Sequence, residues 1–490
     1  IHELSLISMR KGFIELNESG DIREIVLEGI ADVEKTHKLN KLTIDEIAEE
    51  IAQRNVLEDS LVSILAVIST SYAYFKHICK RASIEKLEEL IEHPNYVVQC
   101  YAFVALTQKN TDKLFKIIMS KLHITEVIKT MGFDIGGRAK VADFFLYEGQ
   151  PFLTEEQFHK VVEEVLENNY DLQFKSNYFL ELKPKEKDYK MIRKFVTEYK
   201  NPNALVALAK FQKNADLEII KSFSHGELWQ FYKAVQIFPH PSLLNTLLKI
   251  HNKGLERKET YPPNLESLYT ALSVYHNIEA LEVLTKTFDR IKNRDFVEYH
   301  AEAIFRAIRD FQDGFYDKLL FILWKDYNQI NLEIFDYLWE KNSELSLETI
   351  KISVNDPDKF YQMIHNWDNF KDTTQGVEKL AEKMIRIFVR EDKKNAFKAI
   401  KTNILLQNVN YLPVITKIVS KLSEVKDEFI EVLFNRFSND KNYHVYYEIA
   451  KCLLDYNSTE INSKLLQIFK EKSYLRKNAE LKEILKNEIR

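Results

Sequence analysis

Apolar positions recur at helical spacing through most of the chain. The stretch 83–122 shows the pattern at its clearest. Ile84, Leu87, Leu90 and Ile91 form one stripe behind Ser83, a residue type that caps helix starts. His93-Pro94-Asn95 then interrupts the chain, because a proline ring excludes helical geometry from the residue before it. A second helix carries Val98, Ala102, Ala105 and Leu106 on one face, and its small alanines allow close approach of a neighbour. Asp112 opens a third, with Leu114, Ile117, Ile118 and Leu122 inward. Upstream, 21–33 reads as a helix, and Thr43 with Glu46 three residues on forms a capping box ahead of Ile44, Ile47, Ala48 and Ile51. The segment 60–69 is short and nearly all apolar, which predicts a helix buried on most sides. Strand-like alternation is scarce, so the expected fold class is all-α.

The unit recurs. VALTQKNTDKLFKIIMSKL (104–122) aligns with VALAKFQKNADLEIIKSF (206–223), and 270–288 and 448–469 repeat its grammar: Ala-Leu closing one helix, a polar turn, then an apolar run. Ala105, Ala207 and Ala271 stand near three and then two units of ~34 residues apart, a length typical of two-helix repeats. VQCYAFVAL (98–106) resembles the second helix of a HEAT repeat, with Gln99 where that family usually has arginine; VYYEIAKCL (445–453) matches the same pattern. The resemblance implies an irregular α-solenoid of roughly a dozen helix pairs. Loop-like stretches at 253–263 and 366–376 divide it into capping helices at 1–41 and repeat segments at 42–255, 256–366 and 367–490.

Composition changes this picture little. Of 490 residues 45% are apolar and 29% charged, as in a folded protein, and only 11 glycines and 10 prolines leave little room for a turn-rich β fold. The net charge of −5 is spread without a basic block, which argues against nucleic acid as the main partner. The apolar run at 61–69 is near half the ~20 residues a membrane-spanning helix needs. Three cysteines form no disulfide framework and fit a reducing compartment such as the cytoplasm; a chain that starts at Ile1 leaves an exported form with a cleaved signal open. The excess of Lys over Arg, with frequent Ile and Asn, suggests an AT-rich bacterial genome.

Residue patterns that carry chemistry are sparse. Gly132, Gly136 and Gly137 cluster without the lysine or strand context of a phosphate loop and read as an inter-helix turn, with Arg138 and Lys140 just beyond. The 13 histidines show no zinc spacing. HEAT-repeat deoxyhypusine hydroxylases carry several iron-binding His-Glu dipeptides, whereas this chain has only His2-Glu3. No catalytic residue, metal or cofactor is expected. The expected function is a non-catalytic scaffold or complex subunit, including the immunity type that neutralises a toxin, which holds a protein partner on a concave helical surface. The alternative is a HEAT-like enzyme of the DNA glycosylase or lyase type with a pocket inside the curve. Gln99 and Phe103, both off the inferred buried stripe, and the loop residue Trp367 are the expected partner contacts.

Overall fold

The computed structural model describes residues 20–62, 67–109, 112–133, 135–226, 228–256, 263–364, 374–422 and 424–488. Helices dominate them, and a four-stranded sheet is embedded in the first part of the chain. None of the described helices is long and apolar enough to cross a membrane. The chain divides into two compact units, Ile1–Ala207 and Leu208–Arg490. That division falls inside the segment assigned to 42–255 from sequence. The loops expected to mark boundaries, near 255–263 and 366–376, lie largely outside the described residues.

In the first unit the local helix signals act as read. Thr43 and Glu46 form both halves of the capping box, with Thr43 N–H donating to Glu46 Oε2 at 2.7 Å and Glu46 N–H donating to Thr43 Oγ1 at 3.2 Å. Ser83 caps Ile84–Ile91, and Asn95 accepts from the amides of Val97 and Val98 to start Tyr96–Thr107. That last helix is the centre of the unit. Every residue from Val97 to Thr107 is buried. It packs against the helices Ile44–Arg54, Thr70–Arg81, Ile84–Ile91 and Val141–Gly149 and against a strand. A helix apolar all round needs cover on all sides. At Gly149 the backbone approaches so closely that a Cβ would collide with Ile118 and press on Phe103.

The sheet corrects two expectations. Within 60–69 there is no helix among the described residues: β1 runs Val56–Val62 and β2 is Val67–Ile68, paired antiparallel. The glycine cluster is not an inter-helix turn: Gly132 lies in β3, Val127–Phe133, and Gly136 and Gly137 lie in β4, Ile135–Lys140, with Gly132 paired to Ile135. The strand order is β2-β1-β3-β4, with β1 and β3 parallel. A register irregularity between Glu58 and Val62 is held by Tyr101 of the central helix, whose hydroxyl accepts from Glu58 N–H and donates to Glu58 C=O, both at 2.8 Å. A long-range partner thus stabilises strand geometry that local apolarity alone left ambiguous.

In the second unit the described elements are helical. Trp229–Ile237 packs on Leu265–Ser273, which packs on Val297–Ile308, so alternate helices meet at roughly the ~34-residue interval of a two-helix repeat. Alternate packing recurs between Lys393–Leu406 and Ile430–Asn439, and from Leu412–Lys421 through Tyr443–Leu454 to Ala479–Glu488, whereas Ser343–Asn355 meets Lys393–Leu406 across two described helices, Pro357–Ile364 and Thr374–Glu391. Tyrosine hydroxyls tie successive layers to backbone carbonyls: Tyr275 to His240 and Tyr316 to Ser273 at 2.9 Å, Tyr456 to Lys426 and Tyr474 to Ser438 at 2.6 Å. Burial holds the phenols of Tyr275, Tyr316 and Tyr456 far above their ordinary range, so they remain donors.

Candidate functional site

Two of the three residues expected to contact a partner, Gln99 and Phe103, are not brought to a surface. Phe103 is fully buried, with its ring stacked on Phe145 at 4.4 Å. Gln99 is buried as well, and its Nε2 donates to His93 C=O at 2.6 Å. Both were placed off the buried stripe on the premise of one buried face; the Val141–Gly149 helix and β1 cover the others. Trp367 lies outside the described residues.

What the structure does expose is the outer face of the sheet. Along β3 the side chains of Ile128 and Thr130 are buried, while Val127 (54% exposed) and Lys129 face solvent. Along β4 Ala139 is buried, and Gly136 and Arg138 are exposed. Strand alternation therefore sets Val127, Lys129, Met131, Gly136 and Arg138 on one open face, with Lys129 directly opposite Arg138 and Met131 opposite Gly136. Ile135, at the hairpin tip, is 48% exposed. Two clefts meet at Arg138. One of about 560 Å³ is floored by Val56, Lys129, Met131 and Gly136; the other, about 470 Å³, lies between Val127, Lys140 and the segment from Asp171 to Ser176.

The charges on this face are not all compensated. Lys140 donates to Asp171 Oδ2 at 2.6 Å, and that pair holds the Asp171 carboxyl below its usual range. Lys129 and Arg138 have no ion pair among the described residues. The nearby Asp143 carboxylate accepts from the amides of Gln173 and Phe174 at 2.9 and 2.8 Å and so caps Gln173–Glu181 from another helix; burial nonetheless pushes its pKa up. It is a structural group.

Two other features compete for attention. A cleft of about 880 Å³ in the first unit has Tyr147, Phe158, Phe174 and Tyr178 as its aromatic lining, with Asn177 donating to the Tyr147 hydroxyl. Its rim mixes Glu155, Glu156, Glu181 and Asp188 with Lys183, Lys185 and Lys187. In the second unit, His251 and His300 are buried around Tyr269: His251 Nε2 lies 3.1 Å from Thr287 Oγ1, and the Tyr269 hydroxyl bonds His300 Nδ1. Burial pushes both imidazoles down to about 4, which keeps them neutral links between helices. Among the described residues no group of three or more His, Cys, Asp or Glu side chains is arranged to hold a metal ion.

The sequence carried one usable signal for the sheet face, the residues Arg138 and Lys140 next to glycines, but nothing local assigned them to an edge strand. No protein-family model matches this chain, and no curated protein is significantly similar to it.

Proposed function

We propose that this protein is a binding scaffold that holds a protein partner, with the open sheet of the first unit as a contact surface. One observation carries this reading: a helical unit displays a strand face on which Val127 and Met131 stand beside two cations without an ion pair among the described residues, next to a sheet edge that no other described strand covers. Apolar surface beside unpaired charge on a rigid element is how protein-binding surfaces are built. The alternate-helix packing of the second unit supports the HEAT-like superhelix inferred from the repeats, an architecture whose common use is binding along an extended surface. Toxin neutralisation by an immunity-type protein is one form such binding takes. The net charge of −5 favours protein over nucleic acid as the partner.

A pocket enzyme remains the second reading, on the strength of the 880 Å³ cleft. Its four carboxylates outnumber its three lysines, which disfavours a polyanionic substrate. Affinity purification of the tagged chain from its native host, with mass spectrometry, tests the scaffold. A protein retained at defined stoichiometry is the expected result; only abundant background proteins would count against it.

A further inference from the structure

Resting on the scaffold reading, we propose that the ligand of this surface is an extended, acidic segment of a protein partner that adds alongside β4 as a fifth strand. The phase of the ladder leads to this. Val141 N–H donates to Glu126 C=O at 3.0 Å, and the β3–β4 register continues inward from that pair without a shift. In an antiparallel ladder hydrogen-bonded pairs alternate with non-bonded ones. The bonded pairs are then Ile128 with Ala139, Thr130 with Gly137 and Gly132 with Ile135. Gly136, Arg138 and Lys140 fall between them, so their N–H and C=O groups point away from β3. The Lys140 C=O, at the N-cap of Val141–Gly149, opens that helix; among the described residues the N–H and C=O groups of Gly136 and Arg138 have no backbone partner beyond the sheet. An exposed row of this kind is what strand addition uses.

The other edge is unlike it. β2 has two residues, and the next residue, Ser69, already caps the helix Thr70–Arg81. Among the described residues, only β4 offers a usable length.

Side chains select the occupant. An added strand places alternate residues on the open face beside Arg138 and beside Gly136. Arg138, backed by Lys129 across the ladder, takes a carboxylate. A Cβ at Gly136 would have only the Met131 methyl near it, at 3.9 Å, so a bulky apolar side chain from the ligand has room to lie on Met131. The recognition element is an acid and a large apolar residue two positions apart. A second copy of this chain is a poor occupant, because antiparallel pairing of two β4 edges would bring Arg138 of each copy close to the cations of the other.

The test uses the full chain and a synthetic peptide, acetyl-TETFTETFT-amide, whose Glu and Phe share one face of a strand. Binding is read by calorimetry, with circular dichroism melts to check folding. Arg138→Glu, at an exposed position, should leave the melt unchanged and weaken the peptide at least tenfold, and a Lys-for-Glu peptide should regain affinity for that variant. Of two peptides N-methylated on opposite phases of the backbone, one should lose binding at least tenfold and the other should not. Equal binding of both methylated peptides, equal binding of the Lys and Glu peptides to the wild-type chain, or no binding at all would overturn strand addition. Self-association strengthened by Arg138→Glu would overturn it in favour of a second copy. A host partner retained equally by wild type and Arg138→Glu would overturn strand addition while leaving the scaffold reading intact.

Discussion

The helices Tyr96–Thr107 and Tyr443–Leu454 share a pattern, with Val98, Ala102 and Ala105 of the first matching Val445, Ile449 and Cys452 of the second. All six residues are buried. The difference lies in the positions between them. Where the second helix has Tyr447, Glu448 and Lys451, the first has Cys100, Tyr101 and Val104. Lys451 is exposed, pairs with Glu448 at 3.6 Å and sits over the Tyr447 ring, so that side of the helix is finished in water. In the first helix the corresponding side is covered, and Tyr101 reaches β1. Matching one face of a helix establishes only that face.

Charge insertion should separate the two helices most sharply. Val104→Asp, like Ala105→Asp, should destabilise the chain by several kcal/mol, the order expected for an unpaired buried carboxylate. The matched Lys451→Asp should leave the melting temperature nearly unchanged. Equal effects at 104 and 451 would break the comparison. Phe103→Ala should cost about 3–5 kcal/mol, because its stack with Phe145 leaves a cavity inside the first unit; a denaturant titration with an unchanged m-value checks it, and a negligible loss would return Phe103 to a surface role.

Acid should act on the second unit through His251 and His300. Both are neutral in the fold with pKa pushed down to about 4, against 6.5 when unfolded. Between pH 6.5 and 4 the unfolded chain binds the extra protons, so stability falls as pH falls and levels off below 4. The loss should be about 2 kcal/mol per histidine at pH 5. Hydrogen exchange in Val297–Ile308 should accelerate over this range and do so less in a His251→Gln/His300→Gln variant; an identical acceleration in both would exclude the pair as the cause.

The smallest effects come from hydroxyl deletions. Tyr101→Phe orphans the part-buried N–H and C=O of Glu58 and should cost about 1–3 kcal/mol, with faster exchange in β1. Tyr474→Phe, which loses one bond to Ser438, should cost about 1 kcal/mol. Reversal of that order would show that the tyrosine ties between helices matter more than the sheet anchor.

Helices, their starts and their breaks were legible in the chain because capping and periodicity act within a turn or two: Thr43 with Glu46, Ser83, and Asn95 after Pro94 behave as their chemistry requires. The sheet was not legible. β3 keeps Val127 and Met131 on its open side, which masks the alternation that marks a half-buried strand, and β1 pairs with a strand far along the chain. The candidate site was visible only as Arg138 beside glycines, and its edge position follows from strand order. Gln99 and Phe103 were misplaced for the same reason. Local sequence determines which face of a helix is apolar, but whether its other faces meet water depends on what the rest of the chain brings against them, and that only the tertiary packing decides.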